Sequence, residues 1–71
     1  MERVRLEIAG MSCGHCARAV EQALRGVDGV RVESVEIGGA TVAYDTAAVQ
    51  REALIRAVEA EGYTVSSMAR A

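Results

Sequence analysis

VRVESVEIGGATVAYD, residues 30–45, reads as two extended runs joined at a pair of glycines. Ala40 to Tyr44 alternates apolar and polar residues, as a half-buried strand does, and Gly38-Gly39 is a hairpin signal. In the run before it, Val30 to Ile37, the pairs Val30/Val32 and Val35/Ile37 are out of phase. Either a bulge near Glu33–Ser34 reconciles them, or one pair faces outward. A hairpin therefore sits at the middle of the chain, with one half of the sequence on each side of it.

On the amino-terminal side, Val4, Leu6 and Ile8 alternate with Arg3, Arg5 and Glu7, which predicts a strand with one wet face. Gly10 breaks it. From about Gly14 the period becomes helical, with Ala17, Val20, Leu24 and Val27 on one stripe and Arg18, Glu21, Gln22 and Arg25 facing water. Glu21 and Arg25 are a favourable pair four residues apart, and Gly26 or Gly29 marks the helix end. On the carboxy-terminal side, Asp45 or Thr46 is placed to cap a second helix running to about Glu61. Leu54, Ala57 and Val58 supply its buried stripe, with Glu52 and Arg56 paired outside. Gly62 stops that helix, Tyr63 to Ser67 makes a short last strand, and SSMARA reads as a fraying tail.

The order is βαββαβ, two successive βαβ units without a linker, so residues 1–71 form a single domain. An α+β, ferredoxin-like arrangement satisfies the right-handed crossover rule: a four-stranded antiparallel sheet with both helices on one face. At 71 residues such a domain buries only about 60% of its unfolded surface. With just two aromatics, Tyr44 and Tyr63, its core must come from Val, Leu, Ile and Ala. The formal charge is −2, and the basic residues, all Arg, are dispersed. Neither a basic patch nor an aromatic stacking platform exists, so nucleic acid is not an expected partner. No apolar run reaches spanning length, and MERVRLEI alternates instead of forming a signal peptide. The expectation is a cytoplasmic protein with no membrane insertion, and Met1 two residues before the first strand favours a complete small protein.

Only two cysteines occur, Cys13 and Cys16, in GMSCGHC at residues 10–16. They are too close to staple a fold, so metal binding or redox chemistry is expected of them. They fall where the first strand hands over to the first helix, so unpaired N–H groups and the helix dipole favour ionised sulfur. An ordinary thiol, of pKa about 8.5, costs roughly 2 kcal/mol to deprotonate at pH 7. A low thiol pKa serves disulfide exchange and metal capture alike.

The surroundings separate the two. The CGHC of disulfide isomerases and their thioredoxin-like relatives resembles these four residues only. In that family a tryptophan precedes the first cysteine and a cis-proline faces the pair. Here Ser12 precedes Cys13, and the chain has neither Trp nor Pro. Read more widely, Gly10-Met11-Ser12-Cys13-Gly14-His15-Cys16 resembles the GMxCxxC motif of heavy-metal-associated domains. These include small bacterial copper chaperones and the amino-terminal metal-binding domains of copper-transporting P-type ATPases. The resemblance extends through Gly29-Val30, ATVAYD at residues 40–45 and EAEGY at residues 59–63.

That resemblance implies a non-enzymatic Cu(I) chaperone. Cys13 and Cys16 would bind the metal and pass it by ligand exchange to the metal-binding domain of a copper-transporting P-type ATPase. Two soft thiolates suit monovalent copper, whereas zinc wants four ligands. Zinc-exporting relatives commonly carry an aspartate where this chain has Ser12. The alternatives are an excised ATPase domain, a mercury- or zinc-binding relative, and a dithiol oxidoreductase. Met11 is read as a hydrophobic anchor for the loop in preference to a thioether ligand. His15 is read as a surface residue that tunes local charge, with ligation the less favoured role. Tyr63 is expected near the metal loop as a packing residue that influences the cysteines. A monomer is expected, with a copper-bridged dimer open to it because two sulfurs leave the metal accessible.

Overall fold

The computed structural model of the chain describes residues 1–12 and 14–71; Cys13 lies outside the described residues. Its elements are β1 (Glu2–Ala9), α1 (Gly14–Arg25), β2 (Val30–Glu36), β3 (Gly39–Tyr44), α2 (Arg51–Glu59) and β4 (Thr64–Arg70). The strands form one sheet in the order β2-β3-β1-β4, with every neighbouring pair antiparallel. This is the expected ferredoxin-like arrangement. Along β1, Val4, Leu6 and Ile8 are buried and meet Val20 and Leu24 of α1 and Leu54 and Val58 of α2 in one core. Both helices therefore cover the same sheet face. The stripe predicted for α1 holds at its centre, and Arg25 pairs with Glu21 at 2.8 Å. Glu52 and Arg56 are both exposed, and the ion pairs among the described residues do not include them.

The mismatch in VRVESVEI is resolved by a bulge. The register shifts between Val32, opposite Val42, and Ser34, opposite Thr41, so Glu33 is the extra residue. Val30, Val32 and Val35 then all pack on the core, and Glu33 reaches Arg3 at 2.8 Å. Ile37 does not belong to the strand. It forms the two-residue turn with Gly38, whose φ of +94° requires glycine, while Gly39 already pairs within β3.

Three expectations about the second half are corrected. Asp45 does not cap α2. Its carboxylate accepts from the Ala47 N–H at 3.0 Å and its carbonyl from Ala48 and Val49, closing a separate turn. Buried Val49 pins that turn to the core, so the helix begins only at Arg51, after an N-cap Gln50 with no side-chain cap bond. The helix also ends at Glu59, two residues before the expected Glu61. Nor is SSMARA a frayed tail. β4 runs to Arg70, pairs with β1 as far as Val4, and places Met68 against the core opposite Leu6. A bulge in β4 at Ser66 is held by the hydroxyl donating to the Glu7 carbonyl at 3.1 Å.

Gly29 joins α1 to β2 with φ +87°, and a Cβ there would lie 2.8 Å from Cγ2 of buried Val49. Left-handed strain and overpacking act together at this point. Gly29→Ala is expected to destabilise the domain by about 2 kcal/mol in urea denaturation, and a loss below about 0.5 kcal/mol would contradict this account.

The uncovered sheet face is a lattice of charge. Arg5 lies over Gly39, where a Cβ would meet its guanidinium. It reaches Glu36 and Glu7, each at 2.8 Å, and these acids hold it protonated beyond the usual arginine range, Glu36 acting most strongly. Tyr44, 2% exposed, closes the far end of the core and donates its hydroxyl to Glu2 at 3.2 Å. Burial first, and then that bond, raises its pKa above the ordinary value.

Candidate metal centre

The end of β1 hands the chain to α1 through a short loop whose shape is set at both ends. Gly10 has φ +96°, a conformation that L side chains rarely adopt, and turns the chain out of the sheet. A Cβ at this position would touch Cδ1 of Tyr63 at 3.5 Å, so the tyrosine ring lies against the loop as expected. Tyr63 itself follows Gly62, whose φ of +92° ends the α2 segment and feeds β4. Met11 is half-buried and packs on the core, which fits its reading as an anchor. The loop is thus pinned from below by a thioether side chain and from the side by an aromatic ring.

Ser12 is exposed, Cys13 lies outside the described residues, and Gly14 begins α1. His15 is exposed, and Cys16 is half-buried in the first turn of the helix. That turn contains no acidic residue, whereas Arg25 stands in the last turn. An Asp or Glu at a helix start ordinarily satisfies its dipole. Here the first turn of a 12-residue helix supplies no such carboxylate of its own. Cys16 stands in that first turn.

Of the predicted site residues, the structure brings Met11, Cys16 and Tyr63 to one end of the sheet, with Ser12 and His15 on its outer surface. Among the described residues, no group of three or more His, Cys, Asp or Glu side chains is placed to hold a metal ion. An open groove of about 520 Å³ at the opposite end, lined by Glu2, Arg3, Asp45 and Arg70 among others, is remote from this loop. No described helix is long and apolar enough to cross a membrane.

Comparison with known proteins gives the family of the chain. The heavy-metal-associated domain profile matches residues 5–64. The copper chaperone CopZ of Staphylococcus aureus strain JH9 is 42% identical over 67 residues, spanning 92% of this chain and 98% of that protein. The copper-binding domain of HMA7, a P-type ATPase, superposes with a TM-score of 0.86 at 29% identity, over 100% of this chain and 95% of its own. The Cu(I)-loaded N-terminal domain of a potential copper-translocating P-type ATPase from Bacillus subtilis gives a TM-score of 0.79 at 27% identity, over 97% and 85%. A profile match over most of the chain, on a βαββαβ fold, establishes that the chain belongs to the heavy-metal-associated domain family.

Proposed function

We propose that this protein is a Cu(I) carrier. It holds one copper ion between the sulfurs of Cys13 and Cys16 and passes it to the metal-binding domain of a copper-transporting P-type ATPase. The observation that carries this reading is the 42% identity to a copper chaperone across 92% of the chain. The helix start that bears Cys16 supports it, since its first turn holds no acid to compete with anionic sulfur. Soft thiolates select monovalent copper, and a two-sulfur site is too sparse for zinc's usual four ligands.

Binding releases the thiol protons as two S–Cu bonds form. Transfer then needs no redox step. An acceptor thiol loses its proton and its sulfur bonds to copper, and one S–Cu bond to this chain breaks. A second exchange completes the hand-over, and the departing thiolates regain protons. The metal keeps sulfur ligands throughout, so tight holding and prompt release are compatible. This is carriage, not catalysis, and it suits the cytoplasm, where thiols stay reduced.

Competitive titration under reducing conditions tests the proposal. One Cu(I) per chain is expected, with proton uptake by the buffer and no displacement by equimolar zinc. Displacement by zinc would defeat it. A second reading, an amino-terminal domain of such an ATPase, is favoured by the superposition of the whole chain on the HMA7 domain.

A further inference from the structure

The tip of the β2–β3 hairpin breaks an ordinary rule of surface chemistry. Among the described residues, the only large hydrophobic side chains left exposed are those of Met1 and Ile37. Ile37 is 56% exposed and occupies a turn where Gly, Asn, Asp or Ser is the usual choice. The hairpin is closed by Gly38 and by the Glu36–Gly39 pairing, so the fold gains little from an isoleucine there. A local rule broken without structural gain points to function.

Its position gives that function a place. The Ile8 N–H donates to the Gly38 carbonyl at 2.9 Å, and two residues later β1 enters the metal loop at Gly10. Ile37 therefore stands at the same end of the sheet as Cys16. Ala9, Gly10, Met11 and Tyr63, none of them charged, lie at that end too, so its rim is uncharged there. On the helical side, α1 presents exposed Arg18 near its start, and the α2 end presents exposed Glu59 and Glu61. Acids at a helix C-terminus oppose its dipole. Among the described residues, none of these three takes part in an ion pair.

We propose that Ile37 is the apolar anchor for the protein that accepts the metal, a domain of this same fold with the same two charge signs beside its own loop. Turned by half a revolution, such a surface sets its acidic side against Arg18 and its basic side against Glu59 and Glu61. This rests on the carrier reading above: sulfur-to-sulfur exchange brings the acceptor over this end of the sheet, and the uncharged rim is the surface that then loses water.

The test uses an apo copy of this chain as acceptor, since its charges are known, and follows exchange of isotopically distinct copper from a loaded copy. With Ile37→Ser in both copies, exchange at subsaturating concentration is expected to slow about fivefold while Cu(I) affinity stays unchanged. Ile37→Leu should restore the rate. Donor Arg18→Glu should slow exchange with the wild-type acceptor, and acceptor Glu61→Arg should recover it. Wild-type exchange by the serine variant overturns the proposal. So does a change in its copper affinity, which would make Ile37 a support of the loop. A stable metal-free dimer lost on Ile37→Ser would assign the tip to a permanent self-interface and also overturn it. Failure of the wild type to bind Cu(I) would instead remove the carrier reading itself.

Discussion

Cys13→Ser and Cys16→Ser are each expected to weaken Cu(I) binding by about a thousandfold. Structural zinc sites hold their ion by about 10–16 kcal/mol over four ligands, so one ligand is worth about 2.5–4 kcal/mol. A soft sulfur on copper is placed at the upper end, about three powers of ten. The serine hydroxyl cannot substitute, because it is a hard donor that stays protonated near neutral pH. The apo fold should survive. Cys16 is half-buried and serine is of similar size, so melting should shift by only a few degrees. The pH dependence gives an independent check. Below the thiol pKa values, the logarithm of the wild-type affinity should rise by about two units per pH unit, one for each proton displaced. A single-serine variant should show a slope of about one. Competition against a Cu(I) chelator reads both quantities. A variant that keeps its affinity within tenfold of wild type would leave the two-sulfur site without support.

How far the sequence discloses such a site depends on the range of the forces involved. Alternation in RVRLEI was legible because burial of Val4, Leu6 and Ile8 follows from the period of a strand, whatever it pairs with. The out-of-phase apolar pairs leave a bulge or an outward-facing pair open, and the register decides for the bulge, with Glu33 as the extra residue. The failures share a different cause. Asp45 bonds to Ala47 to make a turn with the same side-chain chemistry that caps a helix, so residue type cannot distinguish the two uses. SSMARA lacks clean alternation, yet it is strand because β1 would otherwise present an unpaired edge beside Leu6 and Val4. That pairing spans nearly the whole chain and leaves no local trace. At the β1–α1 loop, the Gly10, Met11 and Tyr63 expectations concern backbone conformation and packing, and the structure bears on those directly. Ile37 lies in the turn and not in the strand its type predicts, because a β-branched residue beside a glycine pair favours strand over turn. Its exposure emerged only with the register.

Leu6→Ala is expected to cost about 3–5 kcal/mol, most of the stability of a domain of this size. Leu6 is fully buried on β1, an inner strand of the sheet, with Ala40 opposite it on β3 and Met68 opposite on β4. Alanine at position 40 cannot fill the vacated space. Met68 is flexible enough to move partly into it, which argues for the lower part of that range. A 71-residue domain has about 4–11 kcal/mol of total stability, and its melting midpoint falls by about 4–8 °C per kcal/mol. The apo variant should therefore melt about 12–25 °C below wild type. Copper at a thousand times its dissociation constant stabilises the folded form by about 4 kcal/mol, provided the unfolded chain binds it far more weakly. Loaded Leu6→Ala should then melt close to the apo wild type, although Leu6 lies beneath the sheet and touches no ligand. The recovery should vanish in Leu6→Ala combined with Cys16→Ser. Equal recovery in single and double variants, followed by differential scanning calorimetry under reducing conditions, would mean that the metal acts elsewhere than at the loop, because linkage requires a ligand to be lost together with the site that binds it.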